Sequence, residues 1–258
     1  MPDLKRTPFY DFHLKAGARM VDFAGWEMPL LYKGIIEEHL HTRAAASIFD
    51  VSHMGRLKFT GKGAEAFLNR VCTRNLSKAL DGQSMYALVC NDAGGILDDV
   101  IVSRFDNHWL MVCNASNREK LLRWFEEKRG QGAFSIDDER LKTAMVAIQG
   151  PKAVGLLDEV LPDPVSDLRR YHCSVQRYML MIQFTVCRSG YTGEDGAEII
   201  CGTTAAGLAM NYLLKADDEH ATLKPAGLGA RDTLRMEAGM PLYGHELTQE
   251  EDPLAAGL

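Results

Sequence analysis

Two adjacent carboxylates close the run Asn91-Asp92-Ala93-Gly94-Gly95-Ile96-Leu97-Asp98-Asp99. The glycines let the backbone turn sharply, and the residues after them read as a strand. Strand side chains alternate, so Asp98 and Asp99 are expected to face opposite ways. One is solvated while the other points inward among Ile96, Val100 and Val102. A carboxylate among apolar residues is costly unless it is paired or used. General acid–base work or ligand binding is one reading of the pair. Turn and capping carboxylates are the other.

A second polar loop is Arg188-Ser189-Gly190-Tyr191-Thr192-Gly193-Glu194-Asp195-Gly196-Ala197-Glu198. Its glycines allow close approach of a backbone to a ligand. It lacks the GxxxxGK[ST] order of a phosphate loop. Glu198, entering a strand with Ile199 and Ile200, offers a carboxylate to the N–H/NH2 edge of a planar heterocycle. Alternatively it is an edge-strand glutamate in solvent. A third stretch, Gly227 to Ala238, puts Arg231 and Arg235 one turn apart near a helix start, where anions are favoured. A solvated charged face explains the same spacing.

Other chemistry finds less support. His39 and His41 lie two apart on a predicted helix and share no face, so they cannot chelate as an i,i+4 pair. His53 sits in a loop where it either lines a pocket or packs. No GxSxG nucleophile elbow occurs. The six cysteines, at 72, 90, 113, 173, 187 and 201, form no CxxC pair. They read as buried free thiols of a reducing compartment.

The elements that must position these groups follow from periodicity. Met20 to Leu30 is too irregular for helix or strand and reads as a packed loop. A helix is expected over Gly34–Ser47, with Ile36 and Leu40 one turn apart, then a loop over Phe49–Gly55. Ala64–Cys72 is helical. Ser84–Cys90 and Ile96–Ser103 form a hairpin about the 91–95 turn, His108–Cys113 is a third strand, and Asn114–Lys128 is a helix. Thr143–Ile148 is a strand, and Pro151 opens a helix through Leu157. Gln176–Cys187 reads as one long strand, followed by a strand over Ala197–Cys201. Helices are then expected at about Thr204–Lys215 and at Leu228–Ala238, the latter closed by Gly239. Hairpin-joined strands mixed with helices indicate an α+β fold: antiparallel and mixed sheets with flanking helices in two closely joined lobes. The lobes are expected at roughly 1–52 with 140–258, and 53–139.

Composition bounds the function. With 46% hydrophobic and 25% charged residues, the chain has the balance of a globular protein. The net charge of −6, spread along the length, argues against nucleic acid as a main partner. The N-terminus has neither a secretory nor a transit character, and no run reaches the roughly 18 apolar residues of a membrane helix.

Five segments in one order resemble the aminomethyltransferases, the T-proteins of glycine cleavage. They are Met20–Pro29, Phe49–Gly55, Gly94–Asp99, Arg188–Gly196 and Pro225–Asp232, and the likeness runs from about Arg6 to the last residue. The resemblance implies that tetrahydrofolate accepts a one-carbon unit from an aminomethyl group on the lipoyl arm of a partner, the H-protein, with loss of ammonia. It puts Asp99 beside the reactive folate nitrogens and Glu198 on the pterin edge, with Arg231 lining the same pocket. Tyr86, Asn114, Tyr191 and Met54 match other positions near the folate. It implies a cytoplasmic place in a bacterium, or the mitochondrial matrix in a eukaryote.

The family also carries a C-terminal β-barrel domain that helps close the folate site. This sequence stops at Pro253-Leu254-Ala255-Ala256-Gly257-Leu258, where that domain should begin, so a truncated form is expected. Three rivals stay open. One is a folate-dependent demethylase acting without H-protein. Another is a folate-binding relative that assists iron–sulfur cluster assembly, although its Lys-Gly-Cys-Tyr-type motif is replaced here by Arg188-Ser189-Gly190-Tyr191. The last is an inactive fragment.

Overall fold

The computed structural model describes residues 4–178, 182–207 and 222–258. It divides into two compact units, Met1–His53 with Leu141–Met240, and Met54–Arg140 with Pro241–Leu258. The chain therefore leaves the first unit, builds most of the second, returns, and ends in the second.

In the first pass through unit one, β1 (Lys5–Arg6) and α1 (Tyr10–Lys15) precede a hairpin of β2 (Arg19–Phe23) and β3 (Trp26–Leu31). This hairpin replaces the packed loop expected over 20–30. Its turn is made by Ala24 at φ 52° and Gly25 at φ 78°, the left-handed pair that a two-residue hairpin favours. Pro29 hid the strand. It is tolerated because β1 pairs only with Trp26 and Glu27, so Pro29 has a strand neighbour on one side alone.

Next, α2 (Ile35–Ala44) leads into β4 (Ala46–Asp50). The predicted helix ran through Ser47 and the predicted loop took in Phe49, so β4, buried at every position, was missed. The face of α2 also differs from the apolar spacing. Ile36 and Leu40 are 76% and 60% exposed, while Glu38 and Thr42 are buried. Glu38 turns inward because its carboxylate accepts the N–H groups of Tyr32, Lys33 and Gly34, and also that of Gly227. Four donors offset the cost of burying that charge.

The chain then enters unit two. β5 (Gly55–Thr60), α3 (Ala64–Val71), β6 (Ser84–Cys90), β7 (Ile96–Phe105), β8 (His108–Cys113), α4 (Arg118–Lys128) and β9 (Ser135–Asp138) follow in order. Among the described residues the strands form one antiparallel sheet, ordered β6-β7-β8-β5-β9. Ala64, Phe67, Leu68 and Val71 of α3 are buried as their spacing predicts, and in the core Phe67 stacks with Phe59 and Phe134 and meets Phe125 edge-on. Helix α4 starts at Arg118, so Asn114 lies in the loop before it.

On its return to unit one the chain makes β10 (Thr143–Gln149), α5 (Ala153–Val160), β11 (Cys173–Tyr178), β12 (Ile182–Cys187), β13 (Gly196–Gly202), β14 (Leu223–Pro225) and α6 (Leu228–Glu237). Among the described residues these strands and β4 form a sheet ordered β11-β12-β13-β10-β4-β14, antiparallel except for β14 with β4. The long strand expected over 176–187 is two strands that pair with each other. Cys173 faces Cys187 across that pair, and the two are bonded. For them the reading as free thiols fails, because a hairpin brings together residues 14 apart. Among the described residues Cys72, Cys90, Cys113 and Cys201 form no disulfide. Residues 203–207 are helical; the rest of the helix expected to Lys215 lies outside the described residues.

The last segment, 241–258, belongs with unit two, whereas the sequence reading grouped it with the first lobe. It stays there because Leu247 is buried against Leu88 and Ile96, and both backbone groups of Ile96 are taken. Its N–H donates to the Glu251 carbonyl, and its carbonyl accepts the Tyr243 hydroxyl. The architecture is α+β, as expected. Among the described residues no helix is long and apolar enough to cross a membrane.

Candidate functional site

Unit two gathers its polar side chains at the start of β7. Gly94, at φ 88°, makes the turn, and Asn91 secures it by accepting the Ala93 and Gly95 N–H groups. Asp98 and Asp99 follow on a central strand, opposite Val89 and Leu88 of β6. Asp98 is fully buried; Asp99 is half-buried and keeps access to the outside.

The two acids face different ways, yet one side chain joins them. Asn114 Nδ2 donates to Asp98 Oδ1 at 2.9 Å and to Asp99 Oδ1 at 2.7 Å. Asp98 also accepts the Asn114 N–H at 3.0 Å and Asn117 Nδ2 at 2.5 Å. The Tyr86 hydroxyl stands 3.5 Å from Asp99 Oδ2. Burial pushes the Asp98 carboxyl up to about 7, helped by the charge of Asp99 and opposed by Asn117 and Asn114. Burial also raises Asp99, and Asn114 and Tyr86 pull it back in part. A half-buried carboxylate of raised proton affinity can take a proton or stabilise a neighbouring cation.

Tyr86, Asp99 and Asn114, three of the residues singled out from sequence, thus form one set. Met54, the first residue of unit two, is half-buried and held through its carbonyl, which accepts Arg56 Nη1 at 2.8 Å. It shares no hydrogen bond with the acidic set among the described residues. Sequence reasoning passed over Asn117 and gave Asp98 no role of its own. The two asparagines three apart, just before α4, were the available signal.

Unit one holds the second set. Glu198 is the third residue of β13, which lies between β12 and β10, so it is no edge-strand residue in solvent. Its Oε2 accepts the Ser189 hydroxyl at 2.6 Å. Arg231, in the first turn of α6, lays its guanidinium 4.9 Å from the centre of the Tyr191 ring. Burial lowers the Arg231 pKa while Glu198 and Tyr191 work to raise it. Arg231 Nη1 is buried with no hydrogen-bond partner among the described residues, a donor aimed at something else. Arg235 goes a different way: it is buried, bonds Asp232 and reaches the Met240 carbonyl beyond the helix end.

The loop that carries Ser189 and Tyr191 is pinned by the protein itself. Gln149 Nε2 donates to the Ser189 carbonyl and Thr192 Oγ1 donates to Gln149 Oε1. Arg43 holds Thr192 and Glu194, and Arg188 pairs with Asp195 at 2.7 Å. The glycines serve this packing: a Cβ on Gly190 would fall 1.8 Å from Gln149 Oε1, and one on Gly196 2.1 Å from the Ile148 carbonyl. The expected close approach is to the protein's own β10.

The three histidines weighed from sequence contact the protein's own groups. His39 bonds Thr233 and Glu237, His41 reaches the Thr222 carbonyl, and His53 is buried edge-on to Phe23. Among the described residues no three His, Cys, Asp or Glu side chains converge as a metal site.

Comparison with known proteins supplies the class, a transferase. A family model described as the GCVT N-terminal domain matches residues 9–258. The aminomethyltransferase of Caldanaerobacter subterraneus subsp. tengcongensis is 42% identical over the whole chain, which spans 69% of that relative. That of Rubrobacter xylanophilus is 46% identical over 99% of the chain and 67% of the relative. A crystal structure of the glycine cleavage system aminomethyltransferase T from Bartonella henselae superposes with a TM-score of 0.87 at 35% identity, covering 97% of this chain and 67% of that one. A heterotetrameric sarcosine oxidase from Corynebacterium sp. U-96 shares the fold, with a TM-score of 0.54 at 14% identity, over 82% of this chain and 94% of that one. The chain belongs to the aminomethyltransferase family of the glycine cleavage system.

Proposed function

We propose that the chain moves a one-carbon unit from an aminomethyl group, carried on the lipoyl arm of the H-protein, to tetrahydrofolate. Methylenetetrahydrofolate forms, ammonia leaves, and the dihydrolipoyl arm is released. The bacterial relatives support a cytoplasmic setting.

The observation that carries this reading is the half-buried Asp99 carboxylate, held by Asn114 and raised in proton affinity by burial. A nitrogen nucleophile gains positive charge as it attacks. Asp99 stabilises that charge or takes the proton, with Tyr86 and Asn114 keeping its oxygens in place. Glu198 and Arg231 supply the recognition. Ser189 occupies Glu198 Oε2, and the carboxylate retains acceptor capacity for the N–H/NH2 edge of a pterin. Arg231 Nη1, without a hydrogen-bond partner among the described residues, suits a ring carbonyl or a ring nitrogen acceptor. Tyr191 holds the guanidinium flat, and Met54 adds a polarizable apolar surface.

The test is formation of methylenetetrahydrofolate from tetrahydrofolate and aminomethyl-lipoyl H-protein, run beside small sulfonium and tertiary-amine donors. Turnover with H-protein alone is expected. Turnover with the small donors and none with H-protein would replace this reading by a demethylase.

A further inference from the structure

Asp98 has no part in the transfer as described, yet more donors converge on it than on Asp99. It is fully buried. Its oxygens accept the Asn114 N–H, Asn114 Nδ2 and Asn117 Nδ2, at 3.0, 2.9 and 2.5 Å. Asn114 Nδ2 reaches Asp99 as well, 2.7 Å from Oδ1 and 3.3 Å from the Asp99 carbonyl. The amide of Asn114 is therefore locked with its NH2 toward both acids. A flipped amide would set its oxygen against two carboxylates.

We propose that Asp98 is a positioning residue for the transfer, fixing the Asn114 amide and, through it, the rotamer of Asp99. The proposal rests on Asp99 as the reacting carboxylate. With its oxygens engaged and shut from solvent, Asp98 does not touch substrate. Its effect runs through Asn114, and the surrounding donors match the anion. The titratable groups facing it are Asp99 on the same strand, Cys113 on β8, Lys120 on α4 and Tyr243 from the last segment. Burial pushes Asp98 up and Asn117 holds it down, so removing Asn117 extends protonation of Asp98 to higher pH. The Asn117 side chain makes no capping bond at the start of α4, so its loss costs the helix no cap.

The experiment follows kcat, KM and melting temperature of Asp98→Asn and Asn117→Ala across pH, with carboxyl 13C and asparagine side-chain amide NMR on the same proteins. For Asp98→Asn, kcat is expected to fall about 10²-fold at unchanged KM for tetrahydrofolate, with the Asn114 amide resonances displaced. For Asn117→Ala, the acid limb of kcat should move up by about one pH unit, the worth of one hydrogen bond to a charged group. Activity should return on the alkaline side, which a merely structural loss would not give. An unmoved acid limb in Asn117→Ala, or an unmoved Asn114 amide in folded Asp98→Asn, overturns the proposal. If Asp98→Asn does not fold, Asn117→Ala decides alone. The NMR arm reads positioning without turnover, so an active Asp99→Asn enzyme would sink the assignment of Asp99 separately.

Discussion

Asp99 and Glu198 are both half-buried carboxylates on central strands, but their neighbours suit them to different work. Asp99 faces uncharged donors, and burial raises its proton affinity. Glu198 has a serine on one oxygen and the charge of Arg231 nearby. Glu198→Gln should therefore weaken tetrahydrofolate binding by roughly tenfold or more, the worth of a charge-assisted hydrogen bond, with a smaller change in kcat. Calorimetric titration checks this, and an unchanged Kd would remove Glu198 from recognition. Sequence could reveal the adjacency of Asp98 and Asp99 and the alternation that separates them. It could not reveal Asn114 as their bridge, because that depends on β8 lying beside β7 with Val100 opposite Cys113. For the same reason Glu198 could be read from its own segment as an edge residue: a strand's own residues do not say how many neighbours it has.

Elements were most legible where one local rule acted alone. The apolar stripe of α3 and the positive φ of Gly94 before β7 needed nothing from elsewhere. The rule failed where tertiary donors overrode it. On α2 the backbone N–H groups collected by Glu38 outweighed exposure of Ile36 and Leu40. Two strand pairs were missed, one because Pro29 sits inside a strand and one because β11 and β12 share a continuous run of strand formers. The glycines of the 188–196 loop were visible, but their partner was not. Gly196 pairs with Gln149, and its missing Cβ leaves room for the Ile148 carbonyl. Gly196→Ala should force β13 from β10 and lower the stability of unit one by about 1–3 kcal/mol. Chemical denaturation measures this, and wild-type stability would mean the strands can part freely.

At the scale of the molecule, each unit is assembled from segments distant in sequence. That is why the placement of 241–258 could not be read locally. Nothing in that stretch announces that Leu247, Tyr243 and Glu251 attach to Ile96, three residues before Asp99. Deleting 241–258 should cost unit two about 3 kcal/mol or more, from one buried leucine and two hydrogen bonds. Amide exchange at Ile96–Asp99 should quicken with it, and unaltered protection there would show the segment to be dispensable. The central claim is that Asp99 performs the chemistry, and turnover of Asp99→Asn with lipoylated H-protein tests it most directly. The variant should fold and bind tetrahydrofolate as the wild type does, yet form methylenetetrahydrofolate roughly 10²–10⁴-fold more slowly. A variant that turns over like the wild type would contradict the account.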